Sequence, residues 1–345
     1  MQKLTNPSLL LLRNEEELTG QHILVINHQR DSFLSELKQL NPQAIISAFS
    51  YDFADHLAAD SIADIDSHVS HSLPALDDLD LIIYYYPKSK PEAQMMFDNI
   101  RALCSEKTRL LVVGENKGGV KSAEKQLQDK CEAHYKLDSA KHCILYEFAQ
   151  LQPEANFDIA SYQQTFTIKV AGQEFEAVSV PGVFNHGKLD IGTKLLLENL
   201  KLPAHGNMLD FGCGAGIIAT FVLNQSPKIR FSCLDVNALA LYACEQTLRL
   251  NGHQAELVLS DGLKQLTGRF DAIISNPPFH TGIKTDYDIA QGFINGATKH
   301  MSKGAQLHIV ANSFLKYPPL LEARFGHCDT QIKNTKFAVY RTTLS

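Results

Sequence analysis

Asn207-Met-Leu-Asp-Phe-Gly-Cys-Gly-Ala-Gly-Ile217 reads as a strand that enters a glycine turn and leaves as a helix running to about Asn224. Gly212, Gly214 and Gly216 let the main chain turn tightly and lie against a ligand. The pattern is G-x-G-x-G. Ile217 stands where a dinucleotide-binding G-x-G-x-x-G has its last glycine, and no Lys or Ser/Thr follows as in a phosphate-binding P-loop. A nicotinamide cofactor and ATP are both disfavoured.

The next two strands end in acids. Ile229-Arg-Phe-Ser-Cys-Leu-Asp235 closes on a carboxylate 19 residues after Gly216, where an acid can accept from both ribose hydroxyls. Ala255-Glu-Leu-Val-Leu-Ser-Asp261 closes on another, placed for an adenine amino group. With Asp210, three acids stand at successive strands beside the glycine loop. They fit an adenosine-containing cofactor without a phosphate handle, and S-adenosylmethionine is such a molecule.

A fourth strand, Asp271-Ala-Ile-Ile-Ser275, runs into Asn276-Pro277-Pro278-Phe279. Proline lacks the N–H that a ladder needs, so the strand stops there, at the end where open α/β sheets hold ligands. The Asn276 amide and the Pro277 carbonyl can accept from both N–H groups of a planar amine, and Phe279 can stack on it. Such acceptors orient the nitrogen and stabilise the positive charge that grows on it during attack. The site residues expected are therefore Asn276, Pro277, Pro278 and Phe279 for chemistry, and Asp210, Gly212, Gly214, Gly216, Asp235 and Asp261 for the cofactor. No metal is expected.

The 345 residues suffice for two domains. Seven cysteines without a C-x-x-C pair argue against a zinc site or disulfide framework and fit a reducing cytosol. The apolar run Leu9–Leu12 is too short for a membrane span and lacks a signal-peptide layout, so a cytoplasmic protein is expected. Net charge is −6 but unevenly spread. Tyr51 to Pro87 holds eight aspartates and no Lys or Arg, whereas residues 88–141 hold eleven Lys and Arg. These are solvated faces or the footprint of a polyanionic partner.

In the first half, strand-like runs His22–Ile26, Ala44–Ser47, Leu79–Tyr84, Leu110–Val113 and Cys143–Tyr146 alternate with helix-like Phe33–Leu40, Glu92–Cys104 and Ser122–Cys131. This predicts a mostly parallel sheet with helices on both faces. After its first strand comes Asn27-His-Gln-Arg30, with no glycine. Asp80–Pro87 lies over Asp271–Pro278 at an offset of 191, and Leu110–Gly114 over Leu307–Ala311 at 197. Two copies of one α/β unit follow, with the added residues of the second falling in Phe279–Asp288 and Tyr85 standing in place of Asn276. Between the copies, Thr165–Val170 and Phe175–Val180 predict a hairpin, and Leu189–Leu200 a helix. Phe337–Tyr340 is expected to lie antiparallel beside Leu307–Val310 as a final hairpin.

At these residues the chain resembles the class I S-adenosylmethionine-dependent methyltransferases. It resembles more closely the small-subunit ribosomal RNA guanine-N2 methyltransferases, the RsmC family. The resemblance is carried by Leu209-Asp-Phe-Gly-Cys-Gly-Ala-Gly216, Ile274-Ser-Asn-Pro-Pro-Phe-His280 and Ile309-Val-Ala-Asn-Ser-Phe314. Pro181-Gly-Val-Phe184 with Leu189-Asp190, and Val113-Gly-Glu-Asn-Lys-Gly-Gly-Val-Lys-Ser-Ala-Glu-Lys125, extend it to nearly the whole chain. His186-Gly187 departs from the family's usual sequence there and is assigned no role. The resemblance implies tandem Rossmann-like class I methyltransferase domains: a degenerate copy over 1–155 that supports folding and RNA binding, and a catalytic copy over 156–345. It implies action on 16S ribosomal RNA, within the small subunit, by transfer to a guanine N2 amine; a monomer is expected. A large-subunit (23S) RNA guanine-N2 methyltransferase shares the architecture. A protein glutamine-amide methyltransferase also uses Asn-Pro-Pro, but with a helical first domain.

Overall fold

The computed structural model describes residues 3–277 and 283–345, with backbone alone for 283–289. The chain divides into two units, 1–162 and 163–345. The division falls after the single turn Ile159–Tyr162. Ile159 is buried and the Tyr162 hydroxyl donates to Asp98, which ties that turn to the first unit.

The first unit runs α1 (Asn6–Leu12), β1 (His22–Ile26), α2 (Phe33–Leu40), β2 (Ile45–Ser50), α3 (Phe53–Asp60), β3 (Ile65–Val69), β4 (Leu81–Tyr85), α4 (Lys90–Arg101), β5 (Arg109–Glu115), α5 (Ser122–Leu127), β6 (Cys131–Ala140) and β7 (Cys143–Leu151). The second runs β8 (Gln164–Val170), β9 (Gln173–Ser179), α6 (Ile191–Glu198), β10 (Asn207–Phe211), α7 (Ile217–Gln225), β11 (Arg230–Asp235), α8 (Ala238–Leu250) and β12 (Glu256–Leu259). It continues through β13 (Phe270–Ser275), α9 (Ile283–Ala297), β14 (Met301–Asn312), α10 (Tyr317–Phe325), β15 (Asp329–Lys333) and β16 (Phe337–Thr343).

The sheet orders are the same, strand for strand: β3-β2-β1-β4-β5-β7-β6 and β12-β11-β10-β13-β14-β16-β15. In each the first five strands are parallel, the sixth pairs antiparallel with the fifth, and the seventh antiparallel with the sixth. The register carries the repeat down to single residues. Leu81 pairs with Arg109, and Ala272 with Gln306, which are the two offsets read from the sequence. Ile23 pairs with Leu81 and Met208 with Ala272, so β1 lies 185 residues before β10.

Each central strand is apolar on both faces because helices cover both. Met208, Ala272 and Ile274 pack under α7, α8 and the β8–β9 hairpin; Leu209, Phe211 and Ile273 pack under α9 and α10.

Several expectations change. The helix expected over Ser122–Cys131 ends at Leu127, and Cys131 opens β6 instead. Phe337–Tyr340 does lie antiparallel to β14, with Val310 opposite Val339. It is not joined to β14 as a hairpin: its hairpin partner is β15, and β16 is the inner of the two strands.

The comparison of copies is most informative at the strand ends. Asn27 N–H donates to the Phe49 carbonyl at 2.8 Å, and Gly212 N–H to the Leu234 carbonyl at 2.8 Å. Both residues are left-handed, at φ 55° and 77°. The turn thus survives without glycine, since asparagine tolerates that region. Tyr85, at the position of Asn276, is buried, stacks edge-on against Phe33 at 5.9 Å and shares a hydrogen bond with Ser8 Oγ at 2.9 Å. Its ring fills space in the first unit. Replacing it by asparagine should cost about 3 kcal/mol, as other large-to-small core changes do. Calorimetry of the full chain should show a lowered transition for Tyr85→Asn; an unchanged one would contradict the packing role.

Candidate active site

The second unit carries a cleft lined by Gly212, Cys213, Gly214, Ala215, Ile217 and Ile218 on one side. Asn276, Asp190, Thr193, Phe184, Asn185, Lys188 and Phe166 line the rest. The glycine turn and the strand-terminating asparagine, 64 residues apart in sequence, therefore face one space. Parallel pairing of β10 with β13, Phe211 opposite Ser275, brings them there.

The three glycines do different work. At Gly212 and Gly214 the backbone is left-handed, at φ 77° and 52°, and a β-carbon would meet nothing within 4 Å. Their main chain is open, so a ligand can lie directly against it. Gly216 is left-handed too, but a β-carbon there would come within 2.7 Å of Cys244 Sγ and 3.0 Å of its Cα. It is a packing glycine that lets α7 start close against α8.

The three acids lie outside the walls of this cleft. Asp210 alternates with the neighbouring strand residues to the α7–α8 side and is fully buried, with neither oxygen in a hydrogen bond among the described residues. Burial pushes its carboxyl well above the usual value, Cys244 and Asp235 add to this, and the Ala219 N–H opposes it only weakly. Asp235 accepts from Gly214 N–H at 3.0 Å and from Asn237 N–H at 3.0 Å, so it braces the loop from behind. Desolvation pushes it up to about 6 against those two bonds. The third strand ends at Leu259, two residues before the acid expected to close it, and Asp261 lies past that end, accepting from Lys264 at 2.6 Å.

Asn276 is held from the segment before β10. Its Nδ2 donates to Asp190 Oδ2 at 2.9 Å and to Thr193 Oγ1 at 2.8 Å. Asp190 also caps α6, accepting from Thr193 N–H at 2.9 Å, and Asn185 Nδ2 donates to its other oxygen at 3.1 Å. With both N–H bonds committed, the amide oxygen remains as acceptor. Pro277 is buried; Pro278 and Phe279 lie outside the described residues. Asp190, Thr193, Phe166 and Lys188 were missed as site residues. The one available signal was Asp190 as a helix cap.

Two Rossmann-like units of one topology, with an open glycine turn facing a strand-end amide in the second, define an α/β methyltransferase fold of the class I type. A methyltransferase small domain matches residues 174–341, and a methyltransferase small domain N-terminal model matches residues 8–166. The ribosomal RNA small subunit methyltransferase C of Pseudoalteromonas translucida is 57% identical over 99% of both chains. That of Shewanella piezotolerans is 38% identical over 98% of both. The chain belongs to the ribosomal RNA small subunit methyltransferase C family. Its fold matches a T. thermophilus 16S rRNA N2 G1207 methyltransferase solved with AdoMet and guanosine, at TM-score 0.81 and 23% identity, over 96% of this chain and 91% of the other. Among the described residues no helix is long and apolar enough to cross a membrane.

The raised carboxyls set a sign for stability. An acid with a higher pKa when folded means that the native protein holds more protons than the unfolded chain, so stability falls as pH rises. For Asp235 that loss accumulates between about 4, the unfolded value, and about 6. Asp210→Asn removes the same kind of penalty. Its melting temperature relative to the wild type should therefore climb as pH rises above about 4, the unfolded carboxyl value. A pH-independent difference would contradict the assignment.

Proposed function

We propose that this protein transfers the methyl group of S-adenosylmethionine to the exocyclic N2 amine of a guanine in 16S ribosomal RNA. The observation that carries this reading is the Asn276 amide, fixed by both its N–H bonds across one cleft from the open backbone of Gly212 and Gly214. The names of the relatives and of the T. thermophilus structure support the substrate and cofactor.

S-adenosylmethionine, when bound, supplies an electrophilic methyl group on a sulfonium. Gly212 and Gly214 fit it because their main chain is bare on the cleft side. Asp235, the last residue of β11, is assigned to the ribose hydroxyls and Asp261, two residues past β12, to the adenine amine, both beyond the residues that line the cleft. Asp210, fully buried, would support the loop from beneath. The Asn276 side-chain oxygen and the Pro277 carbonyl accept from the two N–H groups of the guanine amine, and Phe279 stacks on the flipped base. As the nitrogen–carbon bond forms and the sulfur–carbon bond breaks, those two oxygens stabilise the charge on nitrogen. One N–H proton then passes to solvent. Most of the gain is positioning, which requires no tuned general base.

Replacing Asn276 with alanine should lower methyl transfer at least about 100-fold while cofactor affinity persists. Transfer of labelled methyl to small subunits, followed by mapping of the modified base, measures it. Turnover near wild type would sink the mechanism.

The first unit is assigned to RNA engagement and structural support, the whole acting as a cytoplasmic monomer. Lys117, Lys121 and Lys125 are exposed at four-residue spacing, with no ion pair among the described residues. Replacing all three with alanine should reduce the slope of log affinity against log salt by roughly 2–3, leaving cofactor affinity as it was. An unchanged slope would place RNA elsewhere.

A further inference from the structure

Asn276 can accept from an amine only if its amide points one way. A side-chain amide can turn about its last bond and exchange oxygen for nitrogen, which would present N–H groups to the substrate amine, donor against donor. What prevents this is outside the Asn276-Pro277-Pro278-Phe279 motif.

We infer that Asp190 and Thr193 are positioning residues that lock the Asn276 amide in its accepting orientation. Asp190 Oδ2 lies 2.9 Å from Asn276 Nδ2, and a carboxylate only accepts. Turned over, the amide would set its own oxygen against that carboxylate. Thr193 Oγ1 lies 2.8 Å from the same nitrogen and points its hydroxyl toward Asp190 Oδ2 at 3.5 Å, leaving a lone pair for the amide. The three groups form one closed set in which every donor has an acceptor. Asp190 is itself held by Thr193 N–H and by Asn185 Nδ2, and Thr193 is buried. The orienting groups are thus anchored on the first turn of α6, a packed element rather than a loose loop.

A second observation comes from the first unit. Ser8 precedes Thr193 by the same 185 residues that separate β1 from β10, and Tyr85 takes the place of Asn276. Ser8 Oγ lies 2.9 Å from the Tyr85 hydroxyl, so a hydroxyl on the first helix meets the strand-end side chain in both copies. The capping position differs: Thr5 stands where Asp190 does. In the first copy the cap residue carries no carboxylate of its own; Asp31, from beyond β1, accepts from Thr5 N–H and Thr5 Oγ1 at 2.9 Å each.

This inference rests on the proposed role of Asn276, and its test separates the two. Methyl transfer by the full chain is measured on small subunits with labelled S-adenosylmethionine for Thr193→Val, Thr193→Ser, Asp190→Asn and Asn276→Ala. Thr193→Val keeps shape and loses the hydroxyl; Asp190→Asn keeps a helix cap but can offer an N–H to the amide. Each should lower kcat about 10- to 100-fold, with KM for the cofactor within about 2-fold, because misorientation affects the chemical step. Thr193→Ser should recover most of the loss. Thr193→Val combined with Asn276→Ala should be no slower than Asn276→Ala, since the effect runs through that amide. Melting temperatures identify any variant that fails to fold, and the Ser–Val comparison then decides, because it differs least in packing. Wild-type kcat in both Thr193→Val and Asp190→Asn, with Asn276→Ala inactive, would overturn the positioning role and leave the proposed function standing. Full turnover by Asn276→Ala would overturn the proposed function itself.

Discussion

A parallel strand cannot carry its ladder through proline, and the arrangement of the second unit depends on that stop. β13 ends at Ser275, one residue before the Asn276-Pro277 pair. Because β13 lies beside β10, the stop falls level with the turn at Gly212. An amide at a strand end and bare backbone at a neighbouring turn then share one cleft without any loop having to reach across. The sheet supplies the coincidence, and the helices covering both faces keep it rigid.

The first unit shows what remains when the chemistry is removed but the sheet is kept. Strand order, register and even the left-handed residue after the first strand are the same. Tyr85 and buried His28 occupy the corresponding strand ends with bulk. A site that holds a ligand must leave backbone bare and one acceptor exposed, and both are costs to packing. The first copy carries neither. That contrast supports reading Gly212, Gly214 and Asn276 as parts of one device.

Much of this was legible in the sequence because it rests on local rules. Glycines with positive φ, a strand stopped by proline, and apolar runs of strand length each declare themselves within ten residues, and two offsets sufficed to register the repeat. The edge strands were harder. β3, β6 and β15 are largely exposed on at least one face, so their polar residues hide the apolar signal, and the helix expected over Ser122–Cys131 overruns the first residue of β6. α1 and α3 are short, with too few turns for a periodic pattern. Asp190 and Thr193 could be read only as a cap and a helix residue. Their contact with Asn276 spans 86 and 83 residues, and nothing local encodes it.

The central claim is that a guanine amine meets the Asn276 side-chain oxygen, with that oxygen presented by a carboxylate and a hydroxyl behind it. A crystal structure of the full chain with S-adenosylhomocysteine and guanosine tests it most directly. The account predicts the guanine N2 about 3 Å from Asn276 Oδ1, with Asn276 Nδ2 still bonded to Asp190 and Thr193. A guanine whose amine lies away from Asn276, or an amide turned to present Nδ2 to the base, would contradict it.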